Sequence, residues 1–251
     1  MKIRFLGTGV LGSDKAQCAS YVLGDHIMLD VGFGAVTGLR KHGLDTRDID
    51  TLVLSHFHPD HIGDLAYFLL RRKRRHESDR PLTIIAPPGV RKVINMLGRA
   101  FRYGGSYSTK RTLERFYGVD TVDFRVLGDG DSVQVGDVKI SAFRVKHTRK
   151  VALGYVIETA DGLTVGYTGD TAPADYVWAQ IPRAKHWIVE ASRPRRDEIG
   201  RLDHTSLESV AEVAGQYPEK SFYATHRRED DPDMPVPQNI RLMRDDEVVD
   251  I

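Results

Sequence analysis

Three histidines and an aspartate crowd into His56-Phe57-His58-Pro59-Asp60-His61, directly after the apolar run Thr51–Ser55. If that run is a strand, residues two apart at its end point the same way, so His56 and His58 can converge on one cation. Asp60 and His61 follow where the chain turns, stiffened by the fixed φ of Pro59, and can face a second cation a few ångströms away. A lone histidine is ordinarily solvated or hydrogen-bonded in place; three with an aspartate at this spacing point to a metal site. No thiolate can join them in numbers, because the chain has one cysteine, Cys18, which also excludes an intramolecular disulfide. Imidazole and carboxylate donors suit borderline or harder divalent ions, zinc first, with manganese or iron open. Nothing in the sequence points to redox work.

The elements that must position these residues are short. Lys2–Leu6, Ser20–Leu23 and Ile27–Asp30 read as strands separated by Gly-containing turns, and Thr51–Ser55 and Leu82–Ala86 as buried strands. Leu65–Leu70 and Val90–Phe101 have the spacing of helices. The second half repeats the style. Val122–Val126, Ser132–Val135 and Val138–Val145 read as strands, the last two joined by Gly136-Asp137. Gly154–Thr159 and Leu163–Tyr167 form a hairpin, and a helix near Ser206–Gly215 separates strands His186–Glu190 and Ser221–Thr225. Hairpins with helices in both halves predict an α+β fold: two mixed sheets face to face with helices outside each, a four-layer αββα sandwich forming a single domain over residues 1–251. A doubly wound sheet is disfavoured, because Gly7-Thr8-Gly9 does not complete a glycine-rich strand-to-helix turn.

Composition sets the bounds. A chain of 251 residues, 41% hydrophobic and 28% charged, can bury a substantial core without disulfide staples. The formal net charge is +1, so no global field selects nucleic acid or a membrane. No stretch approaches the roughly 18 apolar residues of a membrane span. The start, Met1-Lys2-Ile3-Arg4-Phe5-Leu6-Gly7, lacks the apolar stretch of an export signal. The expectation is a soluble cytoplasmic protein.

His-x-His-x-Asp-His after a short apolar strand resembles the signature of the metallo-β-lactamase superfamily, and other segments extend the likeness. Leu6-Gly7-Thr8-Gly9 resembles the first turn of its ribonuclease Z-like branch, and Leu29-Asp30-Val31-Gly32 an early strand ending in Asp. His147 before Gly154-Tyr155-Val156-Ile157-Glu158, Tyr167-Thr168-Gly169-Asp170-Thr171 and Ala224-Thr225-His226 resemble the later ligand motifs. The resemblance implies that His56, His58 and His147 hold one metal, that Asp60, His61 and His226 hold the second, and that Asp170 bridges. Independently of the family, each lies at or just beyond the end of an expected strand, where a sandwich edge can gather distant segments. With His204, six of the ten histidines then belong to one site; His26, His42, His76 and His186 read as solvated or incidental. Asp30 has two open readings: a carboxylate that orients a ligand histidine, or a turn former after a strand.

Two divalent ions about 3.5–4 Å apart can hold a hydroxide nucleophile and polarise its target, which serves phosphodiester, lactone, thioester and amide hydrolysis alike. Asp60 could both bind metal and orient the nucleophile. Glu190-Ala191-Ser192 and Asp203-His204-Thr205-Ser206 resemble segments specific to ribonuclease Z-like members. There the histidine is general acid towards a leaving alkoxide and the Glu pairs with it, which implies catalytic roles for His204 and Glu190. A carboxylate at Glu190 would favour the imidazolium, whereas a following helix N-terminus would oppose it. The bland alternative is that Thr205-x-x-Glu208 is a capping box and His204 merely precedes it.

The chain also departs from the pattern. Transfer-RNA-processing ribonuclease Z proteins carry a long arm between the third-motif His and the bridging Asp, whereas His147 to Asp170 has room for a hairpin only. Phe33 stands where those members have Glu. The leading expectation is a phosphodiesterase acting on a small or cyclic nucleotide or a short nucleic acid. A carboxylic-ester, lactone or thioester hydrolase on the same metals is the second, and a non-catalytic metal-binding regulatory protein the third. Arg71-Arg72-Lys73-Arg74-Arg75-His76 and the stretch from Phe101 to Tyr117 could hold phosphates and stack bases, or be a solvated helix end and loop. The resemblance also implies a homodimer.

Overall fold

The computed structural model describes residues 1–74, 81–100, 122–147, 151–193, 203–228 and 234–251. The first sheet is built from β1 (Lys2–Gly7), β2 (Ser20–Leu23), β3 (Ile27–Leu29), β4 (Thr51–Val53), β5 (Leu82–Ala86), β6 (Val122–Val126) and β14 (Glu247–Asp250). The second is built from β7 (Ser132–Val135), β8 (Val138–Arg144), β9 (Leu153–Glu158), β10 (Thr164–Tyr167), β11 (His186–Glu190), β12 (Ser221–Thr225) and β13 (Ile240–Leu242). Their orders are β14-β1-β2-β3-β4-β5-β6 and β13-β12-β11-β10-β9-β8-β7.

Both sheets are antiparallel at one side and parallel at the other. In the first, the three steps from β14 to β3 are antiparallel and the three from β3 to β6 parallel. In the second, the steps from β7 to β10 are antiparallel and those from β10 to β13 parallel. Two antiparallel steps restore the strand direction, so β1 runs with β3 and β8 with β10. The C-terminal ends of β1, β3 and β4 therefore share one edge of the first sheet. Those of β8, β10, β11 and β12 share one edge of the second.

Side chains alternate strictly between layers, as a pleated strand requires. Tyr21, Leu23, Val53, Ile85, Tyr155, Ile157, Ile188 and Tyr223 fill the space between the sheets. Their neighbours Val22, Leu52 and Ile84 turn outward onto α1 (Ala35–Lys41), α3 (Leu65–Arg74) and α4 (Val90–Ala100). On the far side, Val156, Trp187, Val189, Phe222 and Ala224 meet α5 (Asp175–Trp178) and α6 (Leu207–Gln216). The result is helix, sheet, sheet, helix, the four-layer αββα arrangement expected. β3 and β4 have three residues each, all buried. At about 1.5–3 kcal/mol per fully buried large apolar side chain, packing outweighs what ladders so short supply.

Some expectations need correcting. The strand expected over Ile27–Asp30 ends at Leu29, because Asp30 takes a left-handed φ of 54°. The strand expected over Thr51–Ser55 ends at Val53, and the helix expected to stop at Leu70 continues to Arg74. Helices α1 and α5 and strands β13 and β14 had no counterpart in the sequence reading. Among the described residues no helix is long and apolar enough to cross a membrane.

The strand Thr164–Tyr167 lies tight against the outer core at Gly166. A Cβ there would meet the Trp187 ring at 2.3 Å. That ring is fully buried and held by Nε1 donating to the Ile181 and Ala184 carbonyls at 3.1 and 3.2 Å, so it has no room to give. Gly166→Ala should lose about 1–3 kcal/mol in urea unfolding. A loss below about 0.5 kcal/mol would contradict this packing.

Candidate metal centre

The two sheet edges bring the predicted ligands together above the inter-sheet core. His56, His58, His147 and Asp170 each offer an atom within 4.8 Å of one another, and so do Asp60, His61 and His226. The short helix α2 (Pro59–Ile62), with proline at its start, turns Asp60 and His61 away from His56 and His58. All seven are buried except the half-buried His58. Asp170 stands between the groups. Its Oδ1 lies 3.2 Å from His61 Nε2 and 3.5 Å from His226 Nε2, and its Oδ2 lies 3.8 Å from both His56 Nε2 and His147 Nε2.

Four outer contacts decide where the imidazole protons are. The Asp30 carboxylate can only accept, so His61 Nδ1 donates to it at 2.7 Å. The Asp203 carbonyl can only accept, so His147 Nδ1 donates to it at 2.7 Å. Ser192 Oγ spends its proton on Glu190 Oε2 at 2.6 Å and therefore accepts from His226 Nδ1 at 2.8 Å. Ser55 Oγ likewise donates to Asp30 Oδ2 at 2.6 Å and accepts from His56 Nδ1 at 3.0 Å. In all four rings Nε2 is left turned inward. His61 Nε2 and His226 Nε2 face each other at 3.3 Å, and His147 Nε2 faces His58 Nδ1 at 3.1 Å. His56 Nε2 and Asp170 Oδ1 are buried with no hydrogen-bond partner.

The charges agree with a cation-binding reading. Burial, then the neighbouring His61, holds His56 well below the ordinary histidine value; burial and His147 lower His58. Burial would also lower His61, yet the Asp170 and Asp30 carboxylates raise it well above that value, so this point demands positive charge. Burial would raise Asp60 and Asp170, but hydrogen bonding and the histidine charges keep both carboxylates well below their usual range. Inward imidazole nitrogens, ionised carboxylates and orphaned buried atoms together fit divalent cations.

Asp30 takes the ligand-orienting reading rather than that of a mere turn former. It is fully buried and accepts from Ser55 N at 2.7 Å, Ser55 Oγ, His61 Nδ1 and Tyr167 Oη, the last at 2.5 Å. Sequence reasoning missed Ser55 and Tyr167 as partners; only their adjacency to His56 and to the Asp170 turn could have signalled them. It also missed the Leu11 N–H, which donates to Asp60 Oδ2 at 3.2 Å.

Glu190 and His204 meet, with His204 Nδ1 donating to Glu190 Oε2 at 3.1 Å. Glu190 also accepts from the Thr171 N–H and from Ser192 Oγ, so its oxygens are engaged in hydrogen bonds. Burial pushes His204 down, but the Glu190 hydrogen bond and the charges of Glu190 and Asp170 hold it up at about 9. The capping-box alternative is corrected: Ser206 caps α6, accepting from Ser209 N at 3.1 Å, while Thr205 Oγ1 donates to the Thr171 carbonyl at 2.6 Å. A residue earlier in the chain, Thr205 is tied to the site rather than to the helix.

Arg71 pairs with Asp45 at 2.6 Å, and Arg72 donates to the Thr46 and Ile49 carbonyls at 2.8 and 2.7 Å, so both brace the loop before β4. The side chains of 73–76 and the basic stretch from Phe101 to Tyr117 lie outside the described residues. The described arginines that line the site's cavity, of about 690 Å³, are instead Arg193 and Arg228. Neither was singled out from sequence.

Residues 25–227 match the model of a family described as a beta-lactamase superfamily domain. Ribonuclease Z of Mycobacterium sp. (strain KMS) is 28% identical over 235 residues, covering 85% of this chain and 79% of that protein. Among solved structures, the human short-form tRNase Z (ELAC1) superposes with a TM-score of 0.75 at 21% identity, covering 100% of this chain and 99% of that one. The metallo-beta-lactamase fold protein YhfI of Bacillus subtilis gives 0.72 at 17% identity, covering 99% and 98%. The fold is thus of the metallo-β-lactamase type.

Asp30→Asn keeps the shape and tolerates the left-handed backbone, but can turn a donor towards His61 Nδ1. Competition titration with a chromogenic chelator should show zinc affinity falling about 10–100-fold. Unchanged affinity would remove Asp30 from the metal centre.

Proposed function

This chain belongs to the beta-lactamase superfamily domain family, and from that premise we propose that it is a metal-dependent hydrolase of phosphodiester bonds, resembling ribonuclease Z, with His204 as general acid. His56, His58 and His147 would hold one divalent ion, Asp60, His61 and His226 a second, and Asp170 would bridge them. Zinc is the ion this donor set favours. Bound there, such ions supply Lewis acidity, lowering the pKa of water and offsetting charge on the phosphate.

The chain's own groups supply the rest. Asp60, held ionised by the His226 hydrogen bond and the His61 charge and contacted by the Leu11 N–H, can accept a hydrogen bond from the attacking water. His204 lines the cavity, two-thirds shielded, with Nδ1 fixed on Glu190. Its Nε2–H is then the proton available to the leaving alkoxide. After transfer the ring is neutral and still donates Nδ1–H to Glu190, whose carboxylate also keeps the hydrogen bonds from the Thr171 N–H and Ser192 Oγ. The observation that carries this reading is the His204–Glu190 pair. With Asp170 and His226 it forms a further cluster beside the two ligand groups, and an ester with a good leaving group would not need its proton. The comparisons support the same chemistry, because the relative that is 28% identical is a ribonuclease Z. The interval between His147 and Asp170 contains β9 and β10 as its regular elements, which favours a small phosphodiester or short nucleic acid over a substrate gripped by a protruding arm.

The zinc- or manganese-loaded protein should cleave bis(p-nitrophenyl) phosphate, and a chelator should abolish that. Cleavage of a p-nitrophenyl carboxylic ester alone would overturn the phosphodiesterase reading. His204→Ala should lower kcat by about 10²–10⁴ on a dinucleotide with an alkoxide leaving group. The same variant should lose less than about tenfold on the p-nitrophenyl diester, where the leaving group needs no proton. Equal losses on both would remove His204 from the proton-transfer role.

A further inference from the structure

The two arginines of the cavity have no task in the cleavage of a simple diester. A diester carries one negative charge, which the proposed ions would meet, and His204 and Glu190 answer each other at 3.1 Å. Arg193 and Arg228 nevertheless line the same space as Asp170, His204 and His226.

Their placement follows from the sheet. β11 and β12 are parallel neighbours whose last paired residues are Glu190 and Thr225. Arg193 and Arg228 each stand three residues beyond those partners, so the two chains leave the sheet side by side, starting about 4.8 Å apart. Both departures are pinned. Arg193 bridges to Ser206, and its carbonyl accepts from Leu207 N at 2.7 Å. Arg227, next to Arg228, bridges to Gly9 and donates its N–H to the Thr8 carbonyl at 3.1 Å. Two arginines on pinned backbone that line one cavity suit a doubly charged phosphate, the group arginine recognises best. Beside them Val10, Leu11 and Pro59 give an apolar surface, and Leu11 is 56% exposed. A cavity of about 690 Å³ is the size of small-ligand sites.

We infer that Arg193 and Arg228 form a second phosphate subsite, which selects nucleotide-sized diesters bearing a terminal phosphate beside the scissile one. The inference rests on the phosphodiesterase reading above and names its substrate class.

The test compares the dinucleotide UpU with its 5′-phosphorylated and 3′-phosphorylated forms, pUpU and UpUp, on the zinc-loaded protein. At least one phosphorylated form should show a kcat/KM about tenfold or more above that of UpU, as charge-assisted hydrogen bonds would give. Arg193→Gln and Arg228→Gln should remove most of that gain, lowering kcat/KM on the phosphorylated form by more than on UpU. Equal rates on all three substrates, or a gain that survives in the double variant, would overturn the subsite while leaving the phosphodiesterase standing. If no dinucleotide is cleaved, the proposed activity fails, and binding decides the subsite separately. Calorimetry should then show uridine 3′,5′-bisphosphate binding at least about tenfold tighter than uridine 3′-monophosphate, the difference vanishing in the double variant. Equal affinities would overturn it.

Discussion

His61 Nε2 and His226 Nε2 point at each other across 3.3 Å, and His147 Nε2 and His58 Nδ1 across 3.1 Å, beside two ionised carboxylates. Gathering imidazole nitrogens and carboxylates in a buried place strips both of water that they would otherwise hold. A positive charge at the centre offsets that cost. Much of the surrounding structure keeps these groups from relaxing apart. Each outer nitrogen of His56, His61, His147 and His226 is tied to Ser55, Asp30, the Asp203 carbonyl or Ser192, and those ties are what orient the inner atoms.

The ties need a floor, and the space between the sheets supplies it. Three tyrosines of the inter-sheet core cross from one sheet to the other just beneath the site. Tyr155 Oη donates to the Leu54 carbonyl at 2.8 Å, Tyr21 Oη to Thr225 Oγ1 at 3.0 Å, and Tyr167 Oη to Asp30 at 2.5 Å. Leu153 N adds a backbone bond to the Ser55 carbonyl at 3.0 Å. These bonds fix the edge of the first sheet, which bears His56 to His61, against the edge that bears His147, Asp170 and His226. Burial of the apolar bodies of the tyrosines holds the sheets together, and the hydroxyls set their relative position.

Much of this was legible in the sequence, for a physical reason. A metal centre concentrates unusual residue types at strand ends, and strand ends are marked by the loss of β-branched runs. His56, His58, Asp60 and His61 announce themselves by spacing, whereas His147, Asp170 and His226 are picked out by the family resemblance, with which their places after Val138–Val145, Leu163–Tyr167 and Ser221–Thr225 agree. What stayed hidden depends on tertiary contact. Ser55, just past β4, and Tyr167, at the end of β10, are ordinary residues until the sheets face each other, and Asp30 keeps two readings until His61 rests on it. The Thr205 capping box failed because two hydroxyls in a row compete for one cap, and Thr205 was drawn to the Thr171 carbonyl. Strands β13 and β14 are three and four residues long with exposed alternate positions, too little pattern to read. Arg193 and Arg228 belong to no motif, and come to line one cavity because β11 and β12 end side by side.

In this picture the reaction chemistry is placed by strand ends and tuned by what stands behind them. Glu190 holds Ser192 and His204 at once, and Ser192 in turn receives His226. One carboxylate thus links the proposed proton donor to a proposed metal ligand. The claim on which all of this stands is the two-metal site, and elemental analysis of zinc-dialysed protein tests it most directly. The account predicts about two zinc ions per chain, falling to about one in His226→Ala and in His147→Ala, each of which removes a donor from one group only. Less than about half an ion per chain, or full loading in both variants, would contradict it.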